Sequence, residues 1–338
     1  MRPTFSIILF TVLSGIGYGL WFLIGLGLAV YWPLCGPRTP ADGSGITLAL
    51  CGYPGVVQFG LVTGFVLVSA GLLSSVGHLG QPLRAWRALS QWRSSWLSRE
   101  GVASIATYAP AAALVVMDVW AAFDATELGL SIWEWMRPLG AALAVGSVAT
   151  VFCTGQIYAS LKPIRAWHNR YTVAGYLLLG LYGGSLIFWA MATLPWARFG
   201  RERTTFLAAL IVLAASCAVL KILYWRYIDR LPPPDAGRAT GLDAQGSVRS
   251  FEQPHTEENY LTREMGFVVA RKHASKLRAI TLLCAFVVPA LLAAMALLVP
   301  TTRVVAWPAL AFGLSGIFVE RWLFFAEARH AVSGYYGR

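Results

Sequence analysis

Eight apolar stretches, at about 5–31, 54–76, 101–123, 138–160, 171–194, 204–229, 277–300 and 304–326, leave this chain few ways to fold. Each is long enough to cross the hydrocarbon of a bilayer, which takes about 20 residues in a helix. In lipid a segment must close its own backbone hydrogen bonds, so runs of this length are expected to be helices. The alternating ten-residue segments of a transmembrane barrel are missing. The expected fold is an all-α integral membrane protein, an eight-transmembrane-helix bundle forming one domain over residues 1–338. Composition agrees: 13% of residues are charged, against roughly 25% in soluble domains. The first run is too long for a cleavable signal and no A-x-A site follows it, so it reads as the first span.

The formal net charge of +11 would point to nucleic acid in a soluble protein. Here the basic residues lie between apolar runs, where membrane topology and anionic lipid account for them, and no nucleic-acid partner is expected. Loops 77–100, 161–170 and 230–278 carry fifteen Lys and Arg, and the loops on the other side carry six. The positive-inside rule then puts the first set and both termini in the cytoplasm, in a bacterial inner membrane. The long cytoplasmic loop 231–275 opens on LPPPDAGRATG, a flexible or extended linker. Its second half, from Glu257 to Arg278, reads either as a solvated loop or as a basic amphipathic docking helix. The five cysteines show no metal or cluster spacing. Cys35 and Cys51 share one loop and can pair only if it lies outside.

The segment joining the second and third runs, GHLGQPLRAWRALSQWRSSWLSRE (Gly77–Glu100), is the candidate site. His78 follows one span and Glu100 opens the next, both at the membrane edge. A histidine and a carboxylate are suitable proton exchangers for a two-electron, two-proton carrier, and a quinone is the natural lipid-soluble candidate. Arg84 and Arg99 can stabilise an anionic form of it. Trp86, Trp92 and Trp96 can stack on its ring. The competing reading makes His78 an interfacial residue, Glu100 a charge favoured by the helix dipole, and the tryptophans belt residues.

Elsewhere, His168 in KPIRAWHNRY reads as a surface histidine. Arg321, in the last span, is functional by default, although it, Glu320 and Glu327 are near enough to the edge to snorkel or pair. Lys221 and Arg226 are expected to snorkel. No histidine falls inside a span, so axial ligands for a haem are lacking and none is expected. Electrons must then pass directly between a quinone and a partner's redox centre. A secondary transporter is the alternative of another class; it predicts midplane charges in corresponding halves. A purely structural anchor is a third.

HLGQPLRAWRAL followed by SSWLSRE resembles the DMSO reductase anchor-subunit family (the DmsC type), haem-free eight-helix subunits of three-subunit molybdoenzymes. The resemblance assigns His78 and Glu100 to menaquinol binding and oxidation, places Gly80, Arg84 and Trp86 at the same site, and matches Arg321 to the family's last-helix arginine. It implies two partners: an iron–sulfur subunit with four 4Fe–4S clusters and a catalytic subunit with a molybdopterin cofactor. The chain itself would hold no metal and would exchange quinone or menaquinone as substrate. The loop 231–275 and the Cys35–Cys51 insertion depart from the best-known DMSO reductase anchors. Longer anchors of this type serve cytoplasmic sulfite-oxidising complexes, which run electrons into quinone instead.

Overall fold

The computed structural model describes residues 4–31, 54–77, 79–123, 127–194, 202–232, 236–242, 244, 246, 248, 251–252, 273–299 and 303–332. Eight helices in it are long and apolar enough to cross a membrane. They are α1 (Phe5–Tyr31), α2 (Pro54–Val76), α3 (Trp96–Phe123), α4 (Glu127–Ala159), α5 (Arg170–Met191), α6 (Glu202–Asp229), α7 (Ala274–Leu298) and α8 (Ala306–Ala326). A 3-10 segment, Pro82–Gln91, lies between α2 and α3. No strand occurs among the described residues.

Two boundaries differ from the sequence expectation. α3 begins at Trp96 rather than near 101, and α4 at Glu127 rather than 138. Hydropathy marks where a helix can be dissolved in lipid. It does not mark where backbone hydrogen bonding starts, so polar first turns are missed. α4 also carries Pro138 within it. His78, Cys35, Cys51 and the second half of the 231–275 loop up to residue 272 lie outside the described residues.

α1 and α5 form the centre. Each has 67% of its apolar window buried, against 28% for α2, α3 and α6. α1 packs on α2, α4 and α5, while α5 also meets α6 and α8. Lipid tails are as apolar as leucine, so this association depends on close backbone approach. Glycines permit it: a Cβ on Gly19 would lie 1.9 Å from the Gly180 carbonyl oxygen, and one on Gly25 2.5 Å from that of Gly140.

Trp21 anchors the α1–α2 contact. Its indole Nε1–H donates to the Leu61 carbonyl (3.0 Å), and its ring meets Tyr18, Phe65 and Tyr108 edge-on at 5.1–5.7 Å. Trp21→Phe should cost about 1–3 kcal/mol, from one lost hydrogen bond and an unfilled volume. Thermal unfolding of the solubilised protein reads this directly, and an unchanged midpoint would contradict it.

α7 contains a widened turn over Leu282–Val287, just ahead of Pro289. Proline has no N–H to offer the carbonyl four residues back and its ring crowds that carbonyl. The carbonyl is that of Ala285, and the Tyr182 hydroxyl of α5 donates to it instead (2.6 Å). One side chain therefore satisfies the freed backbone group and ties α7 to the centre.

Candidate functional site

The 3-10 segment starts at Pro82, whose fixed φ favours a tight turn, and sits over the beginning of α3. Ser98 Oγ donates to the Ala88 carbonyl. Leu89 lies against Gly101, where a Cβ would come within 2.7 Å of it. Arg99 closes the far end: Nε donates to the Trp92 carbonyl (3.0 Å) and Nη2 to that of Arg93 (2.6 Å). Its guanidinium lies 4.3 Å over the Trp96 ring. Trp96 in turn meets Phe152 edge-on. Arg99 thus binds two backbone carbonyls and covers one face of Trp96. Arg84 and Gly80 are exposed, with open space around Gly80, and Trp86 is 67% exposed.

Glu100 is in the second turn of α3 and only 5% exposed. The Thr154 hydroxyl of α4 donates to its Oε1. Beneath it runs a seam of hydroxyls that hydropathy and motif matching do not reveal. Ser104 accepts from Tyr18 of α1 (3.0 Å), Thr107 faces Thr150 (3.4 Å), and Ser147 is buried further along. Residues 100, 104 and 107 on α3, and 147, 150 and 154 on α4, follow helical spacing, so each trio lies on one face. That periodicity was the available signal. The arrangement places one buried carboxylate against a hydroxyl donor, at the arginine-rich end of the bundle.

Arg321 does not join this group. Its Nε donates to Glu320 Oε2 (2.5 Å), and its guanidinium lies 4.4 Å from the Tyr176 ring and 5.0 Å from that of Phe324. Glu320 Oε1 pairs with Lys221 Nζ of α6. Lys221 and Arg321 are each 3% exposed and Glu320 1%. Lys221 therefore does not snorkel, contrary to expectation, because a carboxylate on α8 meets it inside the bundle; Arg226 is exposed. Tyr158, one turn beyond Thr154 on α4, stacks on Tyr176 (5.5 Å, 9° between planes). The two rings stand between the Glu100 side and the Arg321 side.

Further out, Arg278 donates to both oxygens of Asp229 (2.7 and 2.9 Å) and to Glu327 Oε1 (2.9 Å). Burial holds the Glu327 carboxyl above its ordinary range, with Arg278 pulling the other way. His168 is exposed and its Nδ1–H donates to the Ala159 carbonyl (2.6 Å), as expected of a surface histidine. Among the described residues no group of three His, Cys, Asp or Glu side chains is placed to hold a metal.

These features define a multi-pass helical membrane protein with a buried carboxylate beneath an arginine- and tryptophan-rich cap. The chain belongs to the DMSO reductase anchor subunit family (DmsC), whose profile matches residues 52–326. It is 30% identical to a subunit of the sulfite dehydrogenase of Allochromatium vinosum, over an alignment of 359 residues covering 99% of each chain. It is also 28% identical to the anaerobic dimethyl sulfoxide reductase chain YnfH of Escherichia coli K12, over 47% of this chain and 52% of that one.

Proposed function

We propose that the chain is the membrane anchor and quinone-reactive subunit of a molybdopterin oxidoreductase, exchanging electrons with an iron–sulfur subunit docked on its arginine-rich, cytoplasmic end. The observation that carries this reading is Glu100. A carboxylate kept from water inside a membrane protein is costly and marks function rather than packing, and among the described residues the neutral hydroxyl of Thr154 donates to it. His78 supplies the second exchanging group. Trp86, Arg84 and Gly80, in and just before the 3-10 segment, are assigned to the same site. The molybdenum cofactor and the 4Fe–4S clusters belong to the partners.

The full-length likeness to a sulfite dehydrogenase subunit favours electron flow from substrate into quinone. Sulfite and water give sulfate, two electrons and two protons at the distant catalytic subunit. Two electrons received from the iron–sulfur partner, with two protons delivered at His78 and Glu100, would convert quinone to quinol. The reductase direction runs the same steps backwards.

The test uses the assembled complex in membranes. His78→Leu should cut quinone-linked turnover about 100-fold, the lower end of what acid–base catalysis contributes. The amount of complex, and its turnover with a soluble electron carrier that bypasses the anchor, should be unchanged. Full quinone-linked activity in the variant would leave a purely structural anchor as the better reading.

A further inference from the structure

Thr154 is 6% exposed, and its hydroxyl has two acceptors within reach. One is Glu100 Oε1 on α3. The other is the Thr150 carbonyl, one turn back on its own helix (3.1 Å). A hydroxyl carries a single proton and two acceptor lone pairs, and it rotates to suit its neighbours. It can therefore serve the carboxyl in both of its states. Toward an ionised Glu100 it donates to the carboxylate. Toward a protonated Glu100 it turns its proton to the Thr150 carbonyl and accepts from the acid on a lone pair. The β-branched threonine side chain is stiff at χ1, so the oxygen stays in place while its proton turns.

The other titratable groups near enough to Glu100 to interact with it are Tyr18 on α1, and Cys153 and Tyr158 on α4. None of them carries a charge at neutral pH. The Tyr18 hydroxyl donates to Ser104 (3.0 Å), and the Tyr158 ring stacks on Tyr176. Arg99, next to Glu100 on α3, donates to the Trp92 and Arg93 carbonyls. α2 has no charged side chain, and Arg84, Arg87 and Arg93 are exposed. His78 lies outside the described residues.

We propose that Thr154 is the positioning residue for Glu100: its hydroxyl holds the carboxyl in one orientation before and after the proton moves. The proposal rests on the reading of Glu100 as the group that exchanges a proton with the quinone. Glu100 gains or gives that proton. Thr154 only turns, and neither gains nor loses one.

The experiment follows quinone-linked turnover against pH in assembled complex in membranes, for Thr154→Val, Thr154→Ser and Glu100→Gln. Valine keeps the shape of threonine and removes the hydroxyl. It should lower turnover at saturating quinone about tenfold, through loss of alignment. It should also move the limb of the pH profile that Glu100→Gln removes to higher pH, by about half a unit to one unit. The hydrogen bond to the ionised form is the stronger of the two that are lost. Serine keeps the hydroxyl and should restore both, turnover to within about twofold. Turnover with a soluble electron carrier should be unchanged throughout. If the valine variant fails to assemble, Thr154→Ala removes the same hydroxyl and the position of the limb decides. A limb that stays in place without the hydroxyl, while Glu100→Gln still removes it, would overturn the role of Thr154 and leave that of Glu100 standing. So would a serine variant that matches the valine one. Full turnover in Glu100→Gln would overturn the reading of Glu100, and the proposal with it.

Discussion

Glu100→Gln should leave the protein folded and assembled while lowering quinone-linked turnover about 100-fold or more. Glutamine has the shape of glutamate, and its amide oxygen can still accept from Thr154, so packing at the α3–α4 contact persists. What disappears is the capacity to take and give a proton, which general acid–base catalysis values at about 10²–10⁴. Removing a charge from a buried site costs no stability of its own, because the desolvation penalty goes with it. A quinone analogue should bind more weakly, by about tenfold, through loss of one charge-assisted hydrogen bond. Turnover by the partner subunits with soluble carriers serves as the control. Undiminished turnover and undiminished analogue affinity in fully assembled complex would remove Glu100 from the site.

Gly19→Ala should prevent the bundle from forming. A single methyl group at this position would lie 1.9 Å from the Gly180 carbonyl oxygen and 2.5 Å from its carbon. Both are backbone atoms in the middle of a helix and cannot rotate away. α1 and α5 would have to separate along the contact that organises the fold, and α1 also carries the packing against α2 and α4. A loss above about 4 kcal/mol is expected, in the range reserved for changes the structure cannot absorb. Gly15→Ala, one turn away on the same helix, is the control, since nothing lies within 4 Å of the added atom. Membrane accumulation and unfolding midpoint are the measurements. Equal behaviour of the two variants would show that the α1–α5 approach is not what holds the bundle.

Parts of the site were legible in the sequence and parts were not, for identifiable reasons. Glu100 stands out because a carboxylate at the edge of a long apolar run is rare, and HLGQPLR with its following SRE carries a family pattern. The contacts of Arg99 with the Trp92 and Arg93 carbonyls were not legible, because they depend on how the chain after the 3-10 segment turns back onto α3, and a guanidinium with five donors can meet both. Lys221 was misread because snorkelling is judged from one helix alone, whereas its partner Glu320 comes from α8, 99 positions further along the chain. The resemblance matches Arg321 to the family's last-helix arginine, and its contacts with Glu320 and Tyr176 are seen only in the structure. The stacked Tyr158 and Tyr176 rings between Arg321 and Glu100 are a property of how α4 meets α5.

The sequence alone determined that eight helices cross the membrane, because the cost of an unpaired peptide group in lipid leaves an apolar run of that length no other form. It also determined which end of the bundle gathers the arginines, and that the chain resembles anchors of this family. Only the tertiary structure decided which charges meet. Hydropathy says that a charged residue within a span must find a partner, and it is silent on which helix supplies one. That depends on the few positions, such as Gly19 against Gly180, where two backbones approach closely enough to set every other neighbour.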